Sequence, residues 1–158
     1  MNLDKIKIRK ATLKDVDEIM FLVQDLLVHQ YKHFDKTINT KWAAKNKKEY
    51  IDAIKKTNSL VLVAVDNKKI IGYFVGNIKK VPSYRKIKKI AEADNIYISK
   101  KYRRKGIGNK FLKEFFKWEK AKGVKRAQVR ISTKNTKSID HAKKAGFNDY
   151  DVVLERGI

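Results

Sequence analysis

Arg103-Arg104-Lys105-Gly106-Ile107-Gly108 is the segment of this 158-residue chain best equipped for chemistry. A strand-like run, Asn95-Ile96-Tyr97-Ile98, stands just before it, and a helix-like run over residues 111–122 follows. At such a junction the first turn of a helix leaves N–H groups without carbonyl partners, and the helix dipole puts partial positive charge at the same end. Two glycines let backbone approach a ligand closely, and three cationic side chains add full charges. The ligand that suits such a loop is an anion, above all a phosphate.

Other phosphate and nucleophile motifs do not fit. A dinucleotide-binding fingerprint needs a third glycine where this chain has Phe111, and a P-loop needs a Gly-Lys-Ser/Thr that is absent. No Gly-x-Ser-x-Gly elbow occurs. His29 and His33 are four apart, as in half of a metal site. The intervening Gln30-Tyr31-Lys32 lacks the glutamate of a zinc protease, however, and no third ligand accompanies the pair.

Composition sets the outer limits. With 42% hydrophobic residues, the chain suits one globular domain over 1–158 with a single core. No segment approaches the roughly 20 apolar residues of a membrane span. Met1-Asn2-Leu3-Asp4-Lys5 lacks the apolar run of a secretory signal, so the expected location is cytoplasmic, with no membrane partner. Without cysteine there are no disulfides, thiolate zinc sites, iron–sulfur clusters or cysteine nucleophiles, and no metal is expected.

The net charge of +22 would attract nucleic acid, anionic lipid or polyphosphate ligands. The excess is mostly lysine, spread from Lys5 to Lys144, and only seven residues are arginine, the better fork for bases and phosphates. Compositional drift towards lysine and asparagine explains such a spread without function. The densest patches are Lys79-Lys80 with Arg85-Lys86 and Lys88-Lys89, then residues 100–105. Only the second lies beside glycines.

Helical and strand periods alternate along the chain without a linker or repeat. Ile6 and Ile8 alternate with cationic residues as a first strand, and Thr12 with Asp15 predicts a capped helix start. Ile19, Leu22, Val23, Leu26 and Leu27 then form one helical face. A second helix is expected over residues 42–56, with Trp42, Tyr50, Ile51 and Ile54 as its apolar positions. Leu60-Val61-Leu62-Val63-Ala64-Val65 reads as a buried strand, Asp66-Asn67-Lys68-Lys69 as a tight turn and residues 70–78 as the hairpin partner. A long strand is expected over 90–98, then the glycine loop and a helix ending at Gly123. A strand over 127–131, a short helix over 136–145 and a last strand over 147–154 complete an α/β sandwich with a mixed sheet.

The order Asp94-Asn95-Ile96-Tyr97-Ile98, Arg103-x-x-Gly106-x-Gly108, amphipathic helix, strand, Asn135 and Gly146-Phe147 resembles the GNAT superfamily of acetyl-CoA-dependent N-acetyltransferases. Ile8-Arg9-Lys10-Ala11-Thr12 with Asp15 resembles that family's opening strand and turn. The resemblance is strong over residues 94–147 and weaker before them. It implies a mixed, mostly antiparallel central sheet of six to seven strands flanked by about four helices. It also implies acetyl-CoA as donor co-substrate and an amine acceptor, either a small molecule or a protein.

Carried over residue by residue, the resemblance assigns the backbone of Ile96, Tyr97 and Ile98 to the pantetheine arm. The backbone of Arg104, Lys105, Gly106, Ile107, Gly108 and Asn109 would hold the pyrophosphate, with Arg103 at the family's arginine-or-glutamine position, crossing the loop or touching phosphate. Asn135 is expected to bond the pantetheine, and Lys144 is a softer candidate for a distal phosphate. An ammonium has no lone pair, so a base must take the amine's proton. Asp94 stands where relatives often carry glutamate and is the first candidate, with Glu92, of the same strand parity, second. The N–H of Ile98 or Tyr97 would donate to the developing oxyanion.

The family's tyrosine acid falls on Ala142, and the neighbouring His141 lies about 100° round the helix. A thiolate with a pKa of about 8.5 can leave without full acid assistance. The acceptor side is expected from the first two helices and the loop between them, around His29, Tyr31, His33, Phe34 and Trp42, and from the loop near Tyr84. Two other readings use the same residues. Ala142 suits a catalytically weak acyl-CoA sensor, and the lysine patches suit a nucleic-acid-binding module, the least favoured of the three. A homodimer stays open.

Overall fold

The computed structural model describes residues 5–157. Residues 1–4, on which the reading of the chain's opening rests, and residue 158 lie outside the described residues. The elements in chain order are β1 (Lys7–Lys10), α1 (Val16–His33), α2 (Lys47–Lys55), β2 (Ser59–Asp66), β3 (Lys69–Lys80), β4 (Lys89–Ile98), α3 (Ile107–Ala121), β5 (Ala127–Val129) and α4 (Thr136–Lys144). The sheet order is β1-β2-β3-β4-β5, antiparallel throughout except for the parallel pair β4–β5. This is the expected mixed, mostly antiparallel α/β architecture with four α-helices.

β2 is apolar on both faces because both faces are covered. Leu60, Leu62 and Ala64 join the core under α3 with Phe74, Phe111 and Phe115. Val61 and Val63 join Tyr73, Val75 and the apolar stripe of α1 on the other side. The β2–β3 hairpin closes through Asn67 (φ 46°) and Lys68 (φ 70°), two consecutive left-handed residues as in a type I′ turn, whose twist matches that of the strands. At the start of the first helical segment, Asp15 Oδ2 accepts from the Thr12 N–H at 2.7 Å and forks onto Arg9, fulfilling the capping pattern.

Three expectations need correction. Among the described residues the sheet has five strands, not six to seven. Residues 147–154 form no strand: Asn148, Asp149 and Asp151 are poor strand formers, and Val152, Val153 and Leu154 are exposed. Tyr150 is held by side chains instead, with its hydroxyl accepting from Arg85 at 2.8 Å and the Arg126 guanidinium 4.8 Å from its ring centroid. The second helix starts at Lys47 rather than residue 42, because a 3₁₀ turn over Ala43–Lys45 ends at Asn46 (φ −120°, ψ 26°), outside helical geometry.

One irregularity positions the site. Val75 pairs with Asn95 and Gly76 with Ala93, so Asp94 is an extra residue in β4 without a cross-strand partner. Asp94 and Asn95 consequently both open on the face under α1 and α2. No helix of the described residues is long and apolar enough to cross a membrane.

Candidate active site

The glycine loop is anchored from below and bare above. Tyr102 is buried and its hydroxyl donates to Asp66 Oδ2 at 3.0 Å, pinning the loop to the β2–β3 hairpin. Arg103 folds across the loop: its Nε donates to the Ile98 carbonyl at 2.8 Å and its guanidinium lies 5.2 Å from the Tyr97 ring centroid. Arg104 (φ 63°) and Gly106 (φ 76°) are left-handed, and Gly106 caps the N-terminus of α3. A Cβ on Gly106 would meet no atom within 4 Å, so open space lies over that backbone. Gly108 differs, since a Cβ there would stand 2.9 Å from His141 Cε1. His141 seats against it and bonds Asn109 Oδ1 at 2.7 Å. Ile107 is buried in the core under α3 and offers the loop only its backbone. Lys105 stands over the Tyr102 ring, 5.7 Å from its centroid.

The strand leading into the loop has an open edge. β5 pairs with β4 only over Ala91–Ala93 and then diverges. The Ser99 N–H donates to the Ile71 carbonyl at 2.9 Å, and antiparallel alternation then turns the Tyr97 amide towards β3 and those of Ile96 and Ile98 outward. Of the two expected oxyanion donors, Ile98 is the one whose N–H faces the opening. Ile96 and Ile98 thus offer the outer face of an added-strand position, whereas the Tyr97 backbone, also expected there, is turned to β3.

The two carboxylates have opposite surroundings. Glu92 is buried and clamped, ion-paired with Lys79 and accepting from Gln128 Nε2 at 2.7 Å. Burial opposes its ionisation, but the hydrogen bonds from Lys79 and Gln128 and the charges of Lys79 and Arg130 outweigh it, so its pKa lies below the ordinary value. Asp94 has one tether, a 3.2 Å bond from Asn77 Nδ2. Desolvation raises its pKa, helped by the charge of Glu92, while Lys79 and Asn77 only partly oppose the rise. Two acids two residues apart are thereby pushed in opposite directions, the pattern that separates a structural ion from a proton acceptor.

Asp94 opens into a cavity of about 690 Å³ between α1, α2 and the sheet, within the size range of small-molecule sites. Leu26, Leu27, Ile38, Trp42 and Val75 form apolar wall, and Glu49, Asp52 and Lys56 also line it, with Asp52 ion-paired to Lys48, so that with Asp94 carboxylates outnumber cations on the lining. Tyr50 and Tyr73 lie at its base with ring centroids 5.9 Å apart. Burial pushes Tyr50 up to about 12 and Tyr73 well above its ordinary value, so both stay neutral hydroxyls.

Trp42 lines this cavity; the other aromatic and histidine candidates for the acceptor side do not. His29, His33 and Phe34 cluster at the end of α1, with the two imidazole centroids 4.6 Å apart. Burial, then the charges of Arg103 and His33, lower the His29 pKa. Tyr31 is on the outer surface under Lys36, and Tyr84 is 87% exposed in the β3–β4 loop. Asn135 caps α4, its Oδ1 accepting from the Ser138 N–H at 3.2 Å. Lys144 is exposed at the far end of that helix, and Ala142 is buried on it. Among the described residues no three His, Cys, Asp or Glu gather as a metal-binding group.

Sequence reasoning missed Ser59, Asn77, Tyr73 and Asn95. The available signal was the break in apolar character at Asn77 within β3, where Val75-Gly76-Asn77-Ile78 turns polar on a covered face.

A model described as the acetyltransferase (GNAT) family matches residues 23–147. An uncharacterized N-acetyltransferase of Methanocaldococcus jannaschii is 24% identical over 149 residues, which cover 92% of this chain. The chain spans 62% of the length of that curated relative. Among solved structures, a tetramutant of the BH1408 protein from Bacillus halodurans superposes with a TM-score of 0.85 at 21% identity, over 96% of this chain and 99% of that one. An aminoglycoside N-acetyltransferase, AAC(6')-Iy, solved in complex with CoA, has a TM-score of 0.74 at 14% identity, with 96% and 99% covered. At these identities the structural likeness establishes the fold.

Proposed function

The chain belongs to the acetyltransferase (GNAT) family, and from that premise we propose that it is an N-acetyltransferase acting within a single domain, moving an acetyl group to a primary amine by direct attack in a ternary complex. The observation that carries this reading is Asp94: a bulged carboxylate with a raised pKa, on a cavity wall, at the end of an open strand edge and one loop away from a glycine-rich helix start.

The residues fit acetyl-CoA. Bare left-handed backbone at Gly106 suits a pyrophosphate, and the outward amides of Ile96 and Ile98 suit an extended amide-bearing arm. Bound there, acetyl-CoA supplies an activated acyl thioester. Backbone from Arg104 to Asn109 would hold the phosphates, while Arg103, already bonded to Ile98 O, stiffens the turn between the two halves of the site. Asp94 would take the amine's proton, directly or through water, and the cavity would orient the acceptor so that its lone pair faces the open edge. Glu92, satisfied by Lys79 and Gln128, keeps its charge and supports the strand.

The acceptor matched by this cavity is compact, with apolar surface against Leu26, Leu27 and Trp42 and its cationic end towards carboxylates. Isothermal calorimetry with acetyl-CoA and thiol release with a panel of amines test the proposal. Micromolar binding together with amine-dependent thiol release supports it. Binding without thiol release supports the sensor reading instead, which Ala142 favours by leaving α4 without a hydroxyl at the family's acid position.

A further inference from the structure

We infer that Asn77, itself held by Ser59, is the positioning residue that aims Asp94 at the acceptor amine; this rests on the acetyl-transfer reading above. As the extra residue of a bulge, Asp94 has no cross-strand partner, so the ladder alone does not fix its side chain. Asn77 Nδ2 reaches its Oδ2 at 3.2 Å. Ser59 Oγ in turn donates to Asn77 Oδ1 at 2.8 Å. An inverted Asn77 amide would set its oxygen against the Asp94 carboxylate, so the order hydroxyl, amide, carboxylate is the satisfiable one. The three residues sit on adjacent strands β2, β3 and β4, and all three line the cavity.

This chain does two things. It occupies Oδ2 and leaves Oδ1 for the incoming ammonium. It also gives the ionised carboxylate a donor in surroundings that otherwise favour the neutral acid. The titratable and charged groups around it are Tyr73 on β3, Glu92 on β4, and Tyr50, Glu49 and Asp52 on α2, with the cations Lys79 on β3 and Lys56 just beyond α2 acting in the opposite sense. Lys79 is shared with Glu92, so Asn77 is the donor dedicated to Asp94.

Two readouts test the assignment: the ¹³C-carboxyl titration of Asp94 followed by NMR, and the acid limb of the kcat/KM profile. A full hydrogen bond to a charged group corresponds to about one to two pH units; at 3.2 Å beside open solvent about half to one unit is expected. Asn77→Leu should therefore raise the Asp94 midpoint by that amount and carry the acid limb with it, leaving acetyl-CoA affinity unchanged. Ser59→Ala should give a smaller rise and Ser59→Thr, which keeps a hydroxyl, should restore the wild-type midpoint. An Asp94 midpoint unmoved in both Asn77→Leu and Ser59→Ala overturns the inference. Should Asn77→Leu fail to fold, Ser59→Ala against Ser59→Thr decides it alone. The NMR titration needs no turnover, so a wild type that binds no acetyl-CoA overturns the function reading while the shifts still decide whether Asn77 governs Asp94.

Discussion

Gly106 and Gly123 make a matched pair for locating the cofactor. Both are left-handed, at φ 76° and 63°, and a Cβ on either would meet no atom within 4 Å. They flank the two ends of α3, roughly 22 Å apart for a 15-residue helix. Alanine at either position is strained only through the backbone, by roughly 1–2 kcal/mol. In a protein of this size each kcal/mol lowers Tm by about 2–4 °C, so Gly106→Ala and Gly123→Ala should show similar losses in thermal unfolding. Their ligand affinities should differ. At Gly106 the methyl enters the space over the loop, and a loop that relaxes its strain must be driven back on binding. A penalty of about 1–2 kcal/mol there is a five- to thirty-fold weaker Kd for acetyl-CoA by calorimetry. Gly123→Ala should bind as wild type. Equal affinity in the two variants, at equal stability, refutes the placement of the phosphates at this loop.

Asp94→Asn should lower kcat by about 10²–10⁴ below the acceptor's pKa and leave acetyl-CoA affinity intact. Because burial raises the Asp94 pKa above its ordinary 3.8, the wild-type rate should fall as pH drops through that raised value, and the variant should lack this limb. Glu92→Gln should keep the acid limb but move it to lower pH, as the charge that helps raise Asp94 is removed, with a loss of about 1–3 kcal/mol at neutral pH in denaturant unfolding as two hydrogen bonds lose their charged acceptor. Asp15 is held down to about 2 by its Arg9 hydrogen bonds, against the opposing effect of burial. A depressed acid stabilises fully above its ordinary 3.8 and loses that contribution as pH falls to about 2, so Asp15→Asn should flatten this part of the acid-unfolding curve.

What could be read from sequence was what local patterns encode. The apolar run of β2 beside Asp66-Asn67-Lys68-Lys69 specifies a hairpin, and strand, glycines and amphipathic helix in succession specify the loop of Arg103 to Asn109. The cavity was not legible because it depends on where α2 docks, and α2 begins only after a 3₁₀ turn that periodicity does not mark. The Ser59–Asn77–Asp94 chain joins residues 18 and 17 positions apart through strand register, which no spacing rule exposes. Glu92 and Asp94 looked equivalent by parity, and their difference comes from Lys79 and Gln128 on neighbouring strands. Residues 147–154 carry apolar side chains like a strand, but their polar first half and the hold of Arg85 and Arg126 on Tyr150 direct them elsewhere.

The bulge at Asp94 also divides β4 into two reading frames. Upstream, Ala91 and Ala93 belong to the α3 side; downstream, Tyr97 packs on the α1 side while Ile98 packs on the α3 side. Excising Asp94 would bring Ala93 and Asn95 together opposite Gly76 and Val75, which they already face, so the two frames would join in one regular ladder. Tyr97 would stay on the α1 side and Ile98 on the α3 side, and the amides of Ile96 and Ile98 would still face outward. The Ile98 carbonyl would keep its hold on Arg103, leaving the loop braced. The extra unit of length therefore serves the cavity rather than the pairing: its loss would leave a more regular strand without the carboxylate that opens there.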